Sequence, residues 1–558
     1  MKIALAQVNP TVGDLVGNRR LVEEAADKAR RAGADLVVLP EMVLTGYPPM
    51  DLLERDGFVR DQLQELENLL PASNGIAIAL GAVLRENDGR PSGASDLVNA
   101  GVLLENGKQV HIQSKTLLPS YDVFDEKRYF APSQKREIAR VNGTALGIAI
   151  CEDTWCEQIP YDINPVAEMV RAGASLILNP SASPWHAGKA AERRQMLVDL
   201  ARNHQVPIVF VNQVGGNDEL IFDGGSFVTD ASGRISGLLP SFESGLSFVD
   251  MEMPGGSISD PVDDVVDDVV DVVDLDNAAQ LEAGLVLGIR DYFHKQQLPP
   301  GAVIGLSGGI DSAVTAHLAV EALGADRVLG IAMPGPYSSD HSVDDAHALG
   351  ELLGIEVREV SIATIYEGYR SVFAGLFGEQ DDYGLTQQNI QSRIRGAILM
   401  AVSNHEGRLV LATGNKSELS VGYCTLYGDT VGGLCVLGDV YKHDVYAIAR
   451  HANRKQPHIP ANTITKPPSA ELAADQLDSD DLPDYDILDS LLEQCIEGEL
   501  GATSVQIPDG CPPEVAEKAI RRLDRNEYKR RQAPLVLRTT AKAFGTGRRM
   551  PIVHRYLR

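Results

Sequence analysis

Residues 302–312 of this chain read AVIGLSGGIDS. A short apolar run leads into small residues and then into the helical pattern of Ala313–Leu323, which predicts a strand, a tight loop and a helix. Small residues let backbone N–H groups approach phosphate oxygens, and a helix N-terminus adds partial positive charge. The loop is not a Walker loop, because the lysine of that motif is missing. From these residues alone, a phosphate loop and a plain tight turn both remain open.

The residues around this loop predict a parallel α/β sheet. An amphipathic helix over Asn277–Lys295 precedes the first strand, Ala302–Leu306. Apolar strands then alternate with helical segments, and the clearer strands are Arg327–Met333, Glu356–Ser361 and Leu409–Ala412. Such alternation is typical of a sheet with helices on its faces. We therefore expect one α/β domain over residues 277–558.

The glycine loop and later segments resemble a known family. SGGIDS, residues 307–312, resembles the pyrophosphate loop of the ATP pyrophosphatase superfamily, whose members adenylate an acceptor with ATP. Further segments resemble NAD synthetases, in the same order along the chain: 333–339 (MPGPYSS), 389–395 (NIQSRIR), 413–418 (TGNKSE) with 427–429 (YGD), 467–472 (PPSAEL) and 527–534 (EYKRRQAP). The resemblance implies a Rossmann-like ATP pyrophosphatase domain. After QAP the chain departs from the family pattern at residues 535–538, which leaves the role of Arg538 open.

The same resemblance implies the ligands of this domain, namely ATP as a substrate, deamido-NAD and Mg²⁺. The implied ATP-binding residues are Gly305, Leu306, Ser307, Gly308, Gly309, Ile310, Asp311, Ser312 and Thr413. Asn389, Glu418 and Lys529 are the implied contacts of deamido-NAD. Asp311 and Glu418 are the implied Mg²⁺ ligands, since this ion prefers oxygen ligands shared with phosphate.

Residues 1–250 place three reactive side chains at the ends of predicted strands. Glu41 follows the run Leu36–Pro40, Cys151 follows Ala145–Ile150, and Lys115 lies in the segment 114–119 (SKTLLP). A carboxylate, an amine and a thiol suit amide hydrolysis by nucleophilic catalysis. Taken alone, a cysteine after a strand is more often a small buried apolar residue.

The segments that hold these residues resemble the nitrilase superfamily. They are 40–42 (PEM), 114–130 (SKTLLPSYDVFDEKRYF) and 151–155 (CEDTW). The resemblance implies an α-β-β-α sandwich with Glu41 as general base, Cys151 as nucleophile and Lys115 as the cation for the oxyanion. It also implies a group of glutamine-binding residues, in which Glu126 is a supporting second carboxylate: Tyr121, Glu126, Ser183 and Lys189.

Composition and charge limit the class of protein. The 558 residues carry a formal net charge of −28, which disfavours a nucleic-acid-binding protein. The N-terminus does not resemble a signal peptide, and no apolar run is long enough to span a membrane. Six cysteines without a CxxC pair predict neither a disulfide framework nor a zinc site. We expect a cytoplasmic enzyme that acts on small molecules, with no nucleic-acid or membrane partner.

A biased tract, residues 260–276, separates the two halves and contains eight aspartates. A solvated linker explains it more simply than an interaction segment. We therefore expect a glutaminase domain over 1–250, an acidic linker over 251–276 and a ligase domain over 277–558.

Together the two resemblances predict glutamine-dependent amidation of deamido-NAD. Because fusion of the two halves would otherwise matter little, we also expect a homo-oligomer that channels ammonia internally. One alternative is another ligase with the same loop, such as a GMP synthetase. A second alternative is an ammonia-dependent ligase whose first half is an interaction module.

Overall fold

A computed structural model describes residues 1–86, 95–252, 257–258, 275–298, 300–473, 476–501 and 503–555. The chain forms two compact units, Met1–Leu275 and Asp276–Arg558. Most of the acidic tract 260–276 lies outside the described residues, so the linker remains a proposal. Strand pairing in the first unit continues to Ile258, beyond the boundary expected at residue 250.

The first unit contains fifteen strands and five α-helices within the described residues. The strands are β1 (Lys2–Gln7), β2 (Leu36–Val38), β3 (Ala77–Arg85), β4 (Leu97–Glu105), β5 (Lys108–Ser114), β6 (Ala139–Val141), β7 (Thr144–Ile148), β8 (Leu176–Ser181), β9 (Ile208–Asn212), β10 (Val214–Asn217), β11 (Leu220–Asp223), β12 (Phe227–Thr229), β13 (Ile235–Ser236), β14 (Gly245–Glu252) and β15 (Ser257–Ile258). The helices are α1 (Leu15–Arg31), α2 (Asp56–Leu69), α3 (Glu126–Tyr129), α4 (Pro165–Arg171) and α5 (Lys189–His204).

Two sheets stack in this unit and helices cover their outer faces. One sheet has the order β15-β14-β1-β2-β3-β4-β5 and the other the order β13-β12-β9-β8-β7-β6. Side chains alternate along each strand, so Ile3 and Leu5 enter the core between the sheets, whereas Ala4 and Ala6 pack with α1 and α2. Helices α4 and α5 pack on the second sheet. These layers confirm the predicted α-β-β-α sandwich.

The second unit contains six strands and eleven α-helices within the described residues. The strands are β16 (Ala302–Leu306), β17 (Val328–Ala332), β18 (Glu356–Glu359), β19 (Leu409–Ala412), β20 (Leu434–Cys435) and β21 (Leu535–Val536). The helices are α6 (Asn277–Lys295), α7 (Ile310–Leu323), α8 (Asp340–Leu353), α9 (Ala363–Phe377), α10 (Leu385–Glu406), α11 (Lys416–Val421), α12 (Lys442–Ala452), α13 (Ala461–Thr465), α14 (Tyr485–Ile496), α15 (Pro513–Arg525) and α16 (Glu527–Arg530).

All six strands of the second unit are parallel, in the order β18-β17-β16-β19-β20-β21. The chain runs outward from β16 to one edge and then returns to β19 on the other side. At such a reversal the loops after the two central strands separate and leave a crevice, which is where ligands bind in open parallel sheets. The predicted parallel, Rossmann-like sheet is confirmed, and its topology indicates a site after β16 and β19.

The segment that departs from the family pattern completes this sheet. Leu535 and Val536 form the edge strand β21, which pairs with β20. The buried Arg538 guanidinium donates to the backbone carbonyls of Thr540 and Ala541 at 3.0 and 2.8 Å. Arg538 therefore stabilises the conformation of the C-terminal segment. Among the described residues, no helix is both long and apolar enough to cross a membrane.

Candidate active sites

The three residues predicted for amide hydrolysis each follow a strand. Glu41 comes after β2, Lys115 directly follows β5, and Cys151 begins a short 3₁₀ turn after β7. Since β2 and β5 belong to one sheet and β7 to the other, the stacking of the sheets brings these strand ends together. The side chains of all three residues are at least nine-tenths buried.

A buried ammonium joins two carboxylates at this site. Lys115 Nζ donates to Glu41 Oε1 and Glu126 Oε1, both at 2.8 Å. The Asn99 amide donates to Glu41 Oε1 at 2.6 Å, and Tyr47 Oη donates to Glu126 Oε1 at 3.0 Å. Glu41 Oε2 accepts a backbone N–H from residue 182 at 3.0 Å, so hydrogen bonds fix both oxygens of this carboxylate. Glu126, which was predicted as a glutamine-binding residue, accepts a hydrogen bond from Lys115.

The protonation of this cluster follows from burial and from the charges within it. Burial disfavours the Lys115 ammonium, but Glu126 and Glu41 outweigh that effect and hold the pKa of Lys115 well above its ordinary value. Burial raises the pKa of Glu126 to about 7 although Lys115 opposes the shift. Burial and the Glu41 carboxylate raise the pKa of the Cys151 thiol well above its usual range, against the opposing charge of Lys115. The Cys151 thiol is therefore held in its protonated form, so its predicted role as nucleophile requires a base.

Asp153 connects the loop that holds Cys151 to the loop that holds Lys115. Its Oδ1 accepts the backbone N–H groups of Thr116 and Leu117 at 3.0 and 2.8 Å, and its Oδ2 accepts that of Ile150 at 3.0 Å. Cys151 itself has a φ of 42°, a left-handed conformation that is uncommon outside glycine. One buried carboxylate thus holds the residues next to Lys115 and next to the strained Cys151 in a fixed relation.

The other predicted glutamine-binding residues lie in three different settings. Tyr121 Oη donates to Glu152 Oε1 at 2.9 Å, and Glu152 directly follows Cys151 in the sequence. Lys189 Nζ lies 3.8 Å from the centre of the Trp155 ring, and burial lowers the pKa of this ammonium. Ser183 is buried, and its backbone N–H donates to Asn212 Oδ1 at 2.8 Å. Tyr121 and Lys189 are therefore connected to residues of the CEDTW segment.

The second unit contains a cavity of about 490 Å³ where the sheet topology indicates a site. The predicted ligand-binding residues that line it are Gly305, Leu306, Ser307, Gly309, Ile310, Asp311, Asn389, Thr413, Glu418 and Lys529. Gly308 and Ser312 are not among the lining residues.

Those two residues shape the loop instead. Gly308 has a φ of 73°, and a Cβ at this position would collide with the Ser342 carbonyl oxygen. Ser312 Oγ donates to the Gly309 carbonyl at 3.0 Å, and the Ser307 N–H donates to Ser312 Oγ at 3.3 Å. The predicted phosphate loop is thus a tight turn at the N-terminus of α7 that opens into a cavity.

The two predicted Mg²⁺ ligands share a lysine that the sequence did not single out. Lys442 Nζ donates to Asp311 Oδ2 at 2.6 Å and to Glu418 Oε1 at 3.0 Å. Burial disfavours the Lys442 ammonium, but Asp311 and Glu418 outweigh that effect and raise its pKa. Burial raises the pKa of Glu418 to about 7; Lys442 opposes this shift, whereas Asp311 and Asp478 add to it. Three acidic side chains therefore act on one ammonium beside the loop.

The remaining predicted contacts already have partners within the protein. Asn389 Oδ1 accepts a hydrogen bond from Thr425 Oγ1 at 2.9 Å. Lys529 Nζ donates to the carbonyls of Gly422 and Cys424, both at 2.7 Å. Both side chains line the cavity, and both also hold the segment that follows α11.

Comparisons with known proteins match each unit. Residues 2–255 match the family model described as carbon-nitrogen hydrolase, and residues 282–533 match that of NAD synthase. The glutamine-dependent NAD(+) synthetase of Synechocystis sp. is 43% identical, and the match covers 99% of both chains. That of Acinetobacter baylyi is 39% identical over 99% of this chain and 98% of the relative. A solved glutamine-dependent NAD+ synthetase from Acinetobacter baumannii, in complex with ADP, matches 99% of this chain and 98% of its own with 38% identity and a TM-score of 0.77.

The fold and the sites define a protein that joins a nitrilase-type thiol unit to an ATP-pyrophosphatase-type ligase unit. The chain belongs to the family of glutamine-dependent NAD(+) synthetases. This result disfavours a GMP synthetase, and the assembled thiol site disfavours an interaction module in the first half.

Several residues of these sites were not predicted from the sequence, among them Asn99, Asp153 and Lys442. Asp153 lies two positions after the predicted nucleophile and could have been noticed as a polar residue in a tight turn. Asn99 is inside a strand, and Lys442 follows Asp311 by 131 positions. The sequence therefore carries no local signal for the contact of Asn99 with Glu41 or of Lys442 with Asp311.

Proposed function

We propose that the first unit releases ammonia from glutamine at Cys151 and that the second unit uses it to amidate deamido-NAD⁺. The chain is an ATP-dependent carbon–nitrogen ligase with glutamine as amido donor. The products are NAD⁺, AMP, pyrophosphate and glutamate, and the reaction is the last step of NAD⁺ biosynthesis. The observation that carries the proposal is the buried Glu41–Lys115 pair, at 2.8 Å, whose charges act on the Cys151 thiol.

In the glutaminase half-reaction, Glu41 accepts the proton of the Cys151 thiol as the sulfur attacks the amide carbon of glutamine. Lys115 donates to the oxyanion that develops on the amide oxygen. The C–N bond then breaks, the proton passes from Glu41 to the leaving nitrogen, and ammonia departs. Water, deprotonated by Glu41, hydrolyses the thioester, releases glutamate and restores the thiol.

We propose that the α-amino and α-carboxylate groups of glutamine contact Tyr121, Ser183 and Lys189. Lys189 supplies a cation for the α-carboxylate, and Tyr121 is held by Glu152, which is 3% exposed. Glu126 acts on the reaction through Lys115, since its carboxylate orients that ammonium. Glu126 is therefore a positioning residue.

In the ligase half-reaction, ATP occupies the crevice after β16 and β19. The glycine loop 305–312 and Thr413 bind its phosphates, and Asn389, Glu418 and Lys529 bind deamido-NAD⁺. The nicotinate carboxylate attacks the α-phosphorus, and the bond to the β-phosphate oxygen breaks, which releases pyrophosphate. Ammonia then attacks the acyl carbon of the adenylate, loses a proton and displaces AMP. Positioning and charge neutralisation supply most of the catalysis in such phosphate chemistry.

The donor set at the loop fits Mg²⁺. Asp311 and Glu418 offer carboxylate oxygens, and the surplus of negative charge around Lys442 favours a further cation. Asp311 and Glu418 would hold the ion, which would offset the charge of the triphosphate. Lys442 donates to the same carboxylates, and we propose that it also contacts the phosphates.

The decisive experiment compares Cys151→Ala with the wild type in NAD⁺ formation from deamido-NAD⁺, ATP and Mg²⁺. With glutamine, the variant should lose the reaction, whereas with ammonium it should retain it. Cys495→Ala is the matched control, because this thiol lies outside both sites. If neither protein forms NAD⁺ from ammonium while ATP is still split with another acceptor, the assigned substrate is wrong. Retention of the glutamine reaction by Cys151→Ala would exclude Cys151 as the nucleophile.

We also propose a homo-oligomer in the cytoplasm. Helix α9 exposes an apolar stripe of residues at helical spacing: Ile365, Tyr369, Val372, Leu376 and Phe377. Their exposed fractions run from 41% to 69%, and contiguous apolar surface of this kind marks association sites. A second copy of the chain is the proposed partner. Six free cysteines are consistent with a reducing compartment.

A further inference from the structure

Two histidines and a glutamate converge on the far part of α7, apart from the residues that line the cavity. His317 and Glu321 are one helical turn apart, so both side chains project from the same side of α7. His458 lies on the segment that joins α12 to α13. Helices α12 and α13 pack against α7, which brings these three side chains together from distant parts of the sequence.

The atoms have the spacing of metal ligands. His317 Nδ1 lies 3.2 Å from His458 Nδ1. A Glu321 carboxylate oxygen lies within 4.8 Å of one ring nitrogen of each histidine. A tetrahedral Zn²⁺ with Zn–N bonds of about 2.0–2.1 Å holds neighbouring ligands roughly 3.3 Å apart. The two ring nitrogens already have this separation, and the exposed Glu321 side chain can approach them by a change of rotamer.

The surroundings orient both rings for coordination. His317 is 1% exposed, and its other nitrogen, Nε2, lies 3.2 Å from Glu282 Oε1. A carboxylate that accepts this N–H leaves Nδ1 free for a metal, which is a usual arrangement around zinc-bound histidines. The Gln456 amide nitrogen lies 2.8 Å from His458 Nε2. When the amide is turned over, its oxygen takes this place and accepts the N–H of His458 Nε2.

We propose that His317, Glu321 and His458 bind a zinc ion, with the fourth position open to water. Two imidazoles and one carboxylate favour a borderline transition metal over Mg²⁺. The prediction of no zinc site rested on the cysteines, and histidines from two separate segments give no comparable spacing signal. The ion would fasten the segment between α12 and α13 to the helix that carries the glycine loop.

A chain of hydrogen bonds is the competing explanation of the same geometry. In that arrangement the Gln456 amide donates to His458, His458 Nδ1–H donates to His317, and His317 Nε2–H donates to Glu282. No metal binds, because the proton between the two Nδ1 atoms occupies the position of the ion.

Metal analysis of the full-length chain separates the two explanations. All proteins carry Cys151→Ala, so that this thiol cannot take up zinc, and all are stripped with a chelator and dialysed against Zn²⁺ in excess Mg²⁺. We compare this background with His458→Gln and Glu321→Gln, and with His405→Gln as the matched control at an exposed histidine. Circular dichroism verifies that each variant is folded.

The expected result is one Zn²⁺ per chain in the background and in His405→Gln, and its loss in His458→Gln. Glu282→Gln, which removes an outer partner, should weaken zinc binding by roughly 10- to 100-fold. Co²⁺ in place of Zn²⁺ should give a visible absorption band that His458→Gln and Glu321→Gln abolish or shift. Absence of bound zinc in the background, or equal binding in His458→Gln, would overturn the proposal.

Discussion

Asp153 is the residue whose substitution best tests how the glutaminase site is built. Asp153→Asn keeps one acceptor oxygen but loses the other, so either the N–H of Ile150 or the pair at Thr116 and Leu117 loses its partner. Misplacement of a reacting group by about 1 Å can cost about 100-fold in rate. We expect kcat for glutamine hydrolysis to fall by about that factor, with little change in KM.

The control for Asp153→Asn is the ammonium-driven reaction of the same variant, which should keep the wild-type rate. Asp162→Asn, on the surface of the same unit, serves as the matched substitution. An unchanged kcat with glutamine would show that the three hydrogen bonds do not position Cys151.

Glu126 makes the stability of the first unit depend on pH. Its pKa of about 7 in the folded chain lies above the ordinary 4.5, so folding favours the protonated form. The stability gained in this way is complete below pH 4.5 and is lost as the pH rises through 7, and it amounts to at most about 3 kcal/mol. Relative to Glu126→Gln, which cannot ionise, the wild type should lose stability between pH 5 and pH 8.

Tryptophan fluorescence during urea unfolding measures this difference, because both tryptophans, Trp155 and Trp185, lie in the first unit. Glu24→Gln, at an exposed position of α1, is the control and should follow the wild type at every pH. A constant difference between wild type and Glu126→Gln across this pH range would contradict the shifted pKa.

Two lysines show what the sequence can and cannot predict about the ligase site. Lys416 belongs to the TGNKSE segment, yet it is fully buried and pairs with Asp439 and Glu497 at 2.7 and 2.6 Å. Lys442 lies in no recognised segment, yet it lines the cavity. A motif predicts which residue types occur together in a segment. Which ammonium reaches the ligand depends on tertiary packing that no local pattern encodes.

At the scale of elements, α12 places a lysine in the wall of the cavity. Lys442 is the first residue of α12, and its ammonium lies between Asp311 and Glu418. Lys442→Met keeps the length of the side chain and removes its charge. We expect ammonium-driven NAD⁺ synthesis to fall by about 100-fold, the usual cost of losing one charged or polar donor at a reacting centre. Initial-rate measurements with varied ATP would detect this loss.

Lys455→Met, an exposed lysine beyond the end of the same helix, is the matched control. Glutamine hydrolysis should be unaffected in the isolated half-reaction. Wild-type rates at all ATP concentrations would exclude a contact between Lys442 and the nucleotide.

The predicted boundaries of strands agree closely with the structure where the strands are short and buried on both faces. The strands at 302–306 and 409–412 and the helix at 277–295 agree with their predictions. Strand β3 continues to Arg85, beyond the apolar run that ends at Leu84, because its second part pairs with the antiparallel strand β4. The next strand along the chain supplies the hydrogen-bond partners for this part of β3. The apolar content of a segment does not reveal such a partner strand.

At the scale of the whole molecule, the apolar stripe on α9 predicts how the chain associates. Val372→Lys and Leu376→Lys together should dissociate the proposed oligomer, since burial of one such side chain contributes about 2 kcal/mol, or roughly 30-fold in affinity. Light scattering coupled to size exclusion would show a smaller mass. Glu367→Lys on the same helix should keep the wild-type mass. An unchanged mass in the double variant would place any interface elsewhere.

The order of strands in the two units has a consequence for synthesis on the ribosome. The sheet of the first unit is complete once Ile258 has emerged, whereas the sheet of the second unit waits for Leu535 and Val536 near the end of the chain. Domains fold as they emerge, so glutaminase folding precedes ligase folding. Until Leu535 and Val536 emerge, β20 presents an unpaired edge, and such an edge favours pairing with other chains.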